Sequence, residues 1–282
     1  GPSCAHTAPR RHKLPLVGRE RELSLIFAAL NCARTDEVSR AVLVLGSPGS
    51  GKTRLCEEVL ARRHETAEPC VVMQVRIELT QAALPFAALT GWLRSVDHAA
   101  PSDPRQRPQW HTWLSEQYPA EESHRYQQTL DCLLRITPSR LPGGQRAETL
   151  PGSSVIGEAV RALLVAACRT QPLLLVIDSM QWIDAASLAV IETALQKLVD
   201  LPILLLGLAR PEIDELLPRL FEGLPTDRMR LGRLSLKAAD KLLEMFEVEP
   251  PSLREELAHQ SLCRPLFLLR LAEGLQEEGL AA

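Results

Sequence analysis

The stretch Gly46-Ser-Pro-Gly-Ser-Gly-Lys52-Thr53 decides the fold of this chain. It follows the apolar run Ala41–Leu45, which predicts a strand buried on both faces, and it precedes a helical pattern that begins at Lys52. This order of strand, glycine-rich turn and helix is the context that a phosphate-binding loop requires. The alternative, an ordinary glycine-rich turn with a solvated lysine, is disfavoured by the two flanking elements.

Each residue type in this loop has a chemical role. Glycines let successive backbone N–H groups turn inward around phosphate oxygens, and the N-terminus of the following helix adds a partial positive charge. Lys52 would neutralise the β and γ oxygens, and the Thr53 hydroxyl would be offered to Mg²⁺. The residues of the loop that we expect to bind nucleotide are Ser47, Pro48, Gly49, Ser50, Gly51, Lys52, Thr53 and Arg54.

A phosphate-binding loop also needs an acidic side chain at the tip of a neighbouring strand, where it holds the water shell of the magnesium ion. Asp178, which ends the apolar run Leu173–Ile177, is the candidate, and the alternative is a simple helix-capping aspartate. We therefore expect Thr53 and Asp178 to bind the metal. The N-K-x-D motif of guanine-specific proteins does not occur in the sequence, which favours ATP or ADP as the nucleotide.

The rest of the chain alternates apolar strands with helical patterns, which predicts an α/β fold of three layers with a parallel sheet. Further strands are predicted at 70–79, 172–178, 202–208 and 228–234, and the pattern beyond 235 is all helical. The predicted domains are a cleavage scar and flexible tail (1–13), a nucleotide-binding α/β domain (14–234) and a small helical lid (235–282).

The block at about 99–153 interrupts this alternation and is predicted to be an insertion in the α/β domain. A helix is expected at 123–136 and a loop at 137–154. Two tryptophans and both tyrosines of the chain fall in this block. They favour a small local core, and a surface for a partner protein is the alternative.

Composition excludes several classes of protein. Apolar residues make up 45% of the 282 residues and charged residues 24%, which excludes a mainly disordered chain. The net charge of −3 lacks the basic excess of a duplex-binding surface, so nucleic acid is not an expected partner. We also expect no membrane span, since no apolar stretch reaches 18 residues. Seven dispersed cysteines are typical of reduced thiols, and hence of a cytoplasmic protein.

Three further segments, taken with the loop, resemble a known group of proteins. Residues Leu16–Glu22 (LVGRERE) resemble the Gly-Arg-Glu motif of AAA+-related proteins, and Asp178–Ser187 (DSMQWIDAAS) resembles their acidic-strand motif. Residues Leu204–Glu212 (LLLGLARPE) resemble their sensor segment. In this order the segments are similar to those of STAND ATPases, the signal-transduction group that includes LuxR-type, MalT-like regulators.

This resemblance implies roles for residues outside the loop. Backbone around Val17 and Gly18 would contact adenine, with Arg19 near the nucleotide. Arg210 would sense the γ-phosphate, and the alternative is a surface arginine paired with Glu212. Pro265 would contact the nucleotide from the helical domain, and the alternative is that it merely begins a helix.

Two departures from the family pattern concern catalysis. Ser179 stands where the family usually has a second acid after Asp178, and Leu208 stands where a polar sensor residue is common. A serine hydroxyl cannot take a proton from water near neutral pH, and loss of a general base costs about 10²–10⁴ in rate. Asp184 is an alternative water-orienting base, although a helix N-cap is the favoured interpretation. Lys52, Asp178, Arg210 and Asp184 are thus the candidate catalytic residues.

These patterns favour an ATP- or ADP-binding switch module of a signalling or regulatory protein, with slow or absent hydrolysis. The resemblance further implies self-association, or a protein partner, on activation. Two enzymatic alternatives are an active magnesium-dependent ATPase and a DNA-handling AAA+ loader. A third is a scaffold that binds nucleotide for structural reasons alone.

Overall fold

The structure is a computed structural model, and it describes residues 16–63, 70–97, 109–135, 151–169 and 171–277. The expected tail at 1–13 lies outside these residues. So do the first part of the block at 99–153 and most of the loop predicted at 137–154. In the described residues, no helix combines the length and the apolar character that crossing a bilayer requires.

Five parallel strands form one sheet in the order β2-β3-β4-β1-β5. The central strands are continuous runs of branched apolar residues because helices cover both faces of a parallel sheet. Every residue of β3 and β4 is accordingly buried. The strands are β1 (Arg40–Leu45), β2 (Val71–Arg76), β3 (Leu173–Asp178), β4 (Ile203–Ala209) and β5 (Thr226–Arg230). The predicted α/β fold with a parallel sheet is confirmed.

The last strand begins two residues before the predicted start and ends four residues before the predicted end. The prediction followed the apolar residues Leu231 and Leu234, whereas the paired residues Thr226–Arg230 carry mostly exposed, charged side chains. An edge strand of this kind has no apolar periodicity to reveal it. Its position is set by pairing, with Thr226 opposite Ala41 and Arg230 opposite Leu45.

Helices occupy most of the remaining described residues. They are α1 (Glu20–Thr35), α2 (Lys52–Arg62), α3 (Ala87–Asp97), α4 (Gln109–Gln117), α5 (Ala120–Arg135), α6 (Ser153–Ala167), α7 (Ala185–Lys197), α8 (Ile213–Leu216), α9 (Leu236–Glu244), α10 (Pro251–Gln260) and α11 (Pro265–Glu277). The helices after residue 235 agree with the all-helical pattern of that region.

The chain forms two compact units. The larger is Ser24–Gly232, which contains the sheet, and the smaller joins the described residues up to Leu23 with those from Arg233 onward. The smaller unit has a core of its own, which includes Val17, Leu243 and Leu268. Residues 16–23 thus group with the helical unit, whereas the predicted α/β domain began at residue 14, because Val17 is buried among the helical residues. The domain assignment itself remains a prediction.

The block at 99–153 differs from its prediction in one respect. It contributes two helices, α4 and α5, and their apolar side chains join the main core of the larger unit instead of forming a separate local one. Trp110 is fully buried there, as are Leu114, Leu130 and Leu133. Both helices pack on α6, whose alanine- and leucine-rich face leaves room for bulky side chains.

Candidate phosphate-binding site

The predicted loop connects β1 to α2 in the manner its sequence requires. Gly49 and Gly51 have φ angles of 78° and 94°, in the left-handed region that glycine adopts without strain. A side chain at Gly46 would meet Ser50 Oγ at 2.4 Å, so a larger residue there would require Ser50 to shift. Gly51 is the N-cap residue of α2, and no side chain of the described residues caps this helix N-terminus. The loop therefore provides a tight backbone turn at an uncapped helix N-terminus, which suits a phosphate group.

Lys52 lies folded over this loop. Its Nζ donates hydrogen bonds to the carbonyl oxygens of Gly46, at 2.6 Å, and Ser47, at 3.2 Å. Burial lowers the pKa of Lys52 below its ordinary value; Asp178 opposes this shift and Arg210 adds to it. The ammonium is thus partly desolvated, which strengthens its electrostatic interaction with an anion in the loop.

Asp178 meets Thr53 at the carboxyl-end edge of the sheet. The Thr53 hydroxyl donates to Asp178 Oδ2 at 3.0 Å. One strand, β4, separates β1 from β3, which brings the loop after β1 close to the residue that ends β3. A hydroxyl and a carboxylate are the oxygen donors that Mg²⁺ takes when it keeps most of its water shell, so this pair fits a magnesium ion.

A second side chain, Arg76, contacts the same carboxylate and was missed in the sequence analysis. Its Nε and Nη2 atoms each lie 2.9 Å from Asp178 Oδ2. Arg76 ends β2 directly opposite Asp178 in the pairing of β2 with β3. The sequence shows an arginine at the end of a strand, but it does not show which residue of another strand lies opposite.

Arg210 follows β4 and lies at the same edge of the sheet. Its backbone N–H donates to Gln181 Oε1 at 3.2 Å, and its guanidinium lies 5.6 Å from the centre of the Trp182 ring. Its charge also contributes to the lowered pKa of Lys52. Among the described contacts its side chain stacks on Trp182 and forms no ion pair with Glu212. The sensor role remains a prediction, and Leu208 beside it is fully buried.

Asp184 is held by backbone N–H groups. As the N-cap of α7 its Oδ1 accepts a hydrogen bond from Ser187 N at 2.8 Å. The same oxygen accepts from Phe86 N at 2.8 Å, and Oδ2 accepts from Ala88 N at 3.2 Å. Both oxygens are engaged and the residue is 4% exposed, which favours the capping interpretation over a catalytic base.

Ser179 is the residue that follows Asp178. It has a φ of 63° and begins the turn that leads to Asp184. The position that carries a second acid in the resembled family is therefore a hydroxyl in a left-handed turn. Among the described contacts of Thr53 and Lys52, no other carboxylate replaces this missing second acid.

Four residues assigned by resemblance belong to the smaller unit. Val17 is buried in its core, and Gly18 has a φ of 68°, with Ala238 so near that a side chain would clash. Arg19 pairs with Glu22 at 3.0 Å, and Pro265 begins α11. Their contacts with nucleotide remain predictions.

Comparisons with known proteins support the fold. No curated protein matches the sequence. The structure of Drosophila ORC bound to DNA is similar with a TM-score of 0.54 and 15% identity, over 100% of this chain and 67% of that one. A mutant of RuvB from Thermotoga maritima gives a TM-score of 0.50 and 14% identity, over 93% of this chain and 64% of that one.

The Aeropyrum pernix ORC1 protein in complex with DNA is similar at a TM-score of 0.49 and 16% identity, over 94% of this chain. The chain spans 62% of the length of that protein, less than two thirds. At these identities the similarities concern the fold alone. The family described as AAA ATPase domain matches residues 15–206, more than half of the 282 residues, and the chain therefore belongs to the AAA ATPase domain family.

Proposed function

We propose that this chain is an ATP- or ADP-binding module that works as a molecular switch and hydrolyses ATP slowly. The observation that carries the proposal is the arrangement of Lys52, Thr53 and Asp178 around the loop, with Ser179 in place of a second acid. Lys52 would bind phosphate oxygens, and Thr53 with Asp178 would hold Mg²⁺. When bound, Mg²⁺ would neutralise charge on the β and γ oxygens.

The switch is inferred from the resemblance to STAND ATPases. A ligand acts as a switch only when its affinity differs between two conformations of the protein. ATP and ADP differ by the γ-phosphate, and Arg210 beside Lys52 is the side chain that would respond to that difference. Self-association, or binding to a protein partner, would follow in the conformation that one of the two nucleotides favours.

Slow hydrolysis is expected because neither of the two candidate acids in the described residues, Asp178 and Asp184, is free to accept a proton from water. Asp178 is engaged by Thr53 and Arg76, and Asp184 by backbone amides. Replacing Ser179 with glutamate is therefore expected to raise ATP turnover about tenfold or more, since it adds a carboxylate beside the magnesium site. The measurement is phosphate release at saturating ATP and Mg²⁺.

Ser179→Gln is the matched control for this experiment, since it has the same size and no carboxylate. It should leave turnover at the level of the native chain while nucleotide binding is kept in both variants. Fast turnover by the native chain would contradict the proposal and favour the active ATPase. The same turnover in the Glu and Gln variants would exclude the missing acid as the cause of slow hydrolysis.

A DNA-handling role is the second candidate, because the fold is similar to that of Drosophila ORC bound to DNA. The net charge of −3 disfavours it. Binding through phosphate contacts weakens steeply as salt rises, with a slope set by the number of contacts. Affinity for a duplex that falls steeply between low and physiological salt would support this role, and the absence of binding at low salt would exclude it.

The lowered pKa of Lys52 predicts how nucleotide affinity depends on pH. Burial makes the ammonium lose its proton at a lower pH than in an unfolded chain, so ATP affinity should fall as pH rises through that lowered pKa. Over the same range the free energy of unfolding should rise with pH, because the unfolded chain binds more protons there. Titration calorimetry between about pH 7 and 10 checks the first effect, since an ordinary lysine titrates near 10.4.

Lys197→Ala removes an exposed lysine at the end of α7 and is the control for this titration. It should keep the pH dependence of the native chain. Affinity that stays constant up to the ordinary lysine pKa would contradict a desolvated ammonium at position 52.

A further inference from the structure

Arg76 and Asp178 form an ion pair between two neighbouring strands, at the carboxylate that the proposed metal site requires. Two nitrogens of the guanidinium share the single oxygen Oδ2, each at 2.9 Å. The Thr53 hydroxyl bonds to that same oxygen at 3.0 Å. A positively charged group therefore already occupies the carboxylate oxygen nearest the threonine that would bind Mg²⁺.

The two partners differ in their exposure to solvent. The side chain of Asp178 is 11% exposed, whereas that of Arg76 is 59% exposed. Asp178 is the less mobile partner, because its side chain is mostly buried at the end of a fully buried strand. Arg76 ends an edge strand and can move into solvent at small cost. The guanidinium is thus the partner that would leave when another cation approaches the carboxylate.

Among the described residues, cationic side chains outnumber carboxylates around the proposed metal site. Asp178, Arg210 and Glu212 each lie near enough to Lys52 to influence its pKa. With Arg76, which pairs with Asp178, these described groups comprise three cationic side chains and two carboxylates. Because Ser179 is neutral, the site lacks a second carboxylate beside Asp178 that would offset these charges. Mg²⁺ gives up its water reluctantly and is usually held by one or two carboxylates with phosphate oxygens.

We propose that Arg76 is an internal counter-cation of Asp178 that competes with Mg²⁺ for this carboxylate, so that nucleotide binding depends little on magnesium. The inference rests on the proposed function, since it concerns how the same site binds polyphosphate. Without Mg²⁺, Arg76 neutralises Asp178 beside the loop and limits its repulsion of phosphate. With Mg²⁺, the ion pair must be disrupted before the carboxylate can hold the metal's water shell, and this cost offsets part of the gain.

The experiment compares the Kd of ATP with Mg²⁺ and with EDTA, by calorimetry, for the native chain and Arg76→Gln. The native ratio of the two constants, EDTA over Mg²⁺, should stay within about threefold. In Arg76→Gln the ratio should rise about fivefold, because an ion pair with one exposed partner contributes up to about this factor. The glutamine keeps most of the side-chain length but removes the charge.

Arg62→Gln is the matched control. Arg62 pairs with Glu58 in the last turn of α2, at 2.6 Å, and its partner is 12% exposed, much as Asp178 is. This variant should keep the native ratio. A second variant, Arg76→Lys, keeps the charge without the two-nitrogen contact and should give a ratio between those of the native chain and Arg76→Gln.

Three outcomes would overturn the inference. One is an unchanged ratio in Arg76→Gln, and another is an equal rise in Arg62→Gln. The third is a native ratio above about tenfold. This outcome is measured on the native chain alone, so it tests the inference even if Arg76→Gln does not fold. Failure of the proposed function has a different result, because the native chain would then bind neither ATP nor ADP under either condition.

Discussion

Replacing Lys52 with alanine is expected to weaken the binding of ATP and ADP by about 10²–10³-fold, or about 3–4 kcal/mol. The substitution removes a partly desolvated ammonium that lies over the loop and is bonded to Gly46 and Ser47. Hydrogen bonds between a charged donor and phosphate oxygens are among the strong ones in proteins. The measurement is Kd by titration calorimetry with Mg²⁺ present.

The fold should survive this substitution. Burial lowers the pKa of Lys52, so the native chain keeps the charge at a cost that alanine does not have. The melting temperature of the free protein should therefore change little, while the stabilisation by added nucleotide is lost. Lys197→Ala is the control and should bind nucleotide like the native chain. Unchanged affinity in Lys52→Ala would refute the phosphate-binding role of the loop.

Replacing Asp184 with alanine is expected to lower the free energy of unfolding by about 3–5 kcal/mol. Its carboxylate accepts hydrogen bonds from the backbone of Ser187, Phe86 and Ala88, and it is 4% exposed. Each buried N–H left without a partner costs about 1–3 kcal/mol, and loss of a helix N-cap costs about 0.5–2 kcal/mol. Denaturant unfolding followed by circular dichroism measures the change.

Two further variants separate this effect from a general loss of charge. Asp184→Asn keeps one acceptor oxygen and should cost less than Asp184→Ala. Asp227→Ala removes an acid that is 64% exposed and pairs with Arg40, and such pairs contribute about 0–1 kcal/mol. A loss of less than about 1 kcal/mol in Asp184→Ala would contradict the structural role. It would also return Asp184 to consideration as the water-orienting base.

This prediction also affects how catalysis can be tested. If Asp184 ties α3 to α7, its substitution alters the fold, and lost hydrolysis in Asp184→Ala would not identify a base. Ser179 lies in a turn and accepts no comparable set of backbone bonds in the described structure. Substitutions at Ser179 are therefore the cleaner test of the missing acid.

The parts of the site that lie close together in the sequence could be predicted from it. The loop from Gly46 to Thr53 contains its own glycines, its lysine and its helix start, so its conformation depends on adjacent residues. The runs Ala41–Leu45 and Leu173–Ile177 are likewise apolar throughout because both faces of their strands are buried. Local sequence was enough for these features, and for the N-cap at Asp184.

Contacts between distant segments depended on packing. The sequence suggested that Asp178 lies near Thr53, because Asp178 ends one strand and Thr53 follows another. The strand order brings the Thr53 hydroxyl within 3.0 Å of Asp178 Oδ2. The sequence did not suggest Arg76, because the sequence of a strand does not show which residue of the neighbouring strand lies opposite its last residue. A shift of one residue in register would also turn the Arg76 side chain to the other face of the sheet. The bonds from Phe86 and Ala88 to Asp184 also join residues almost a hundred positions apart.

The helices α4 and α5 also combine a feature that the local sequence predicts with a contact that depends on packing. Their aromatic and leucine residues predicted a buried cluster, but the identity of the surface that buries them depends on where α6 lies. Backbone conformation is governed mainly by neighbouring residues, so a contiguous motif can be read directly from the chain. The hydrophobic effect is non-directional, so an apolar pattern shows that a residue is buried but not which residues bury it. A charged side chain pairs with a group that the folded strands bring within a few ångströms. These contacts therefore form only on folding.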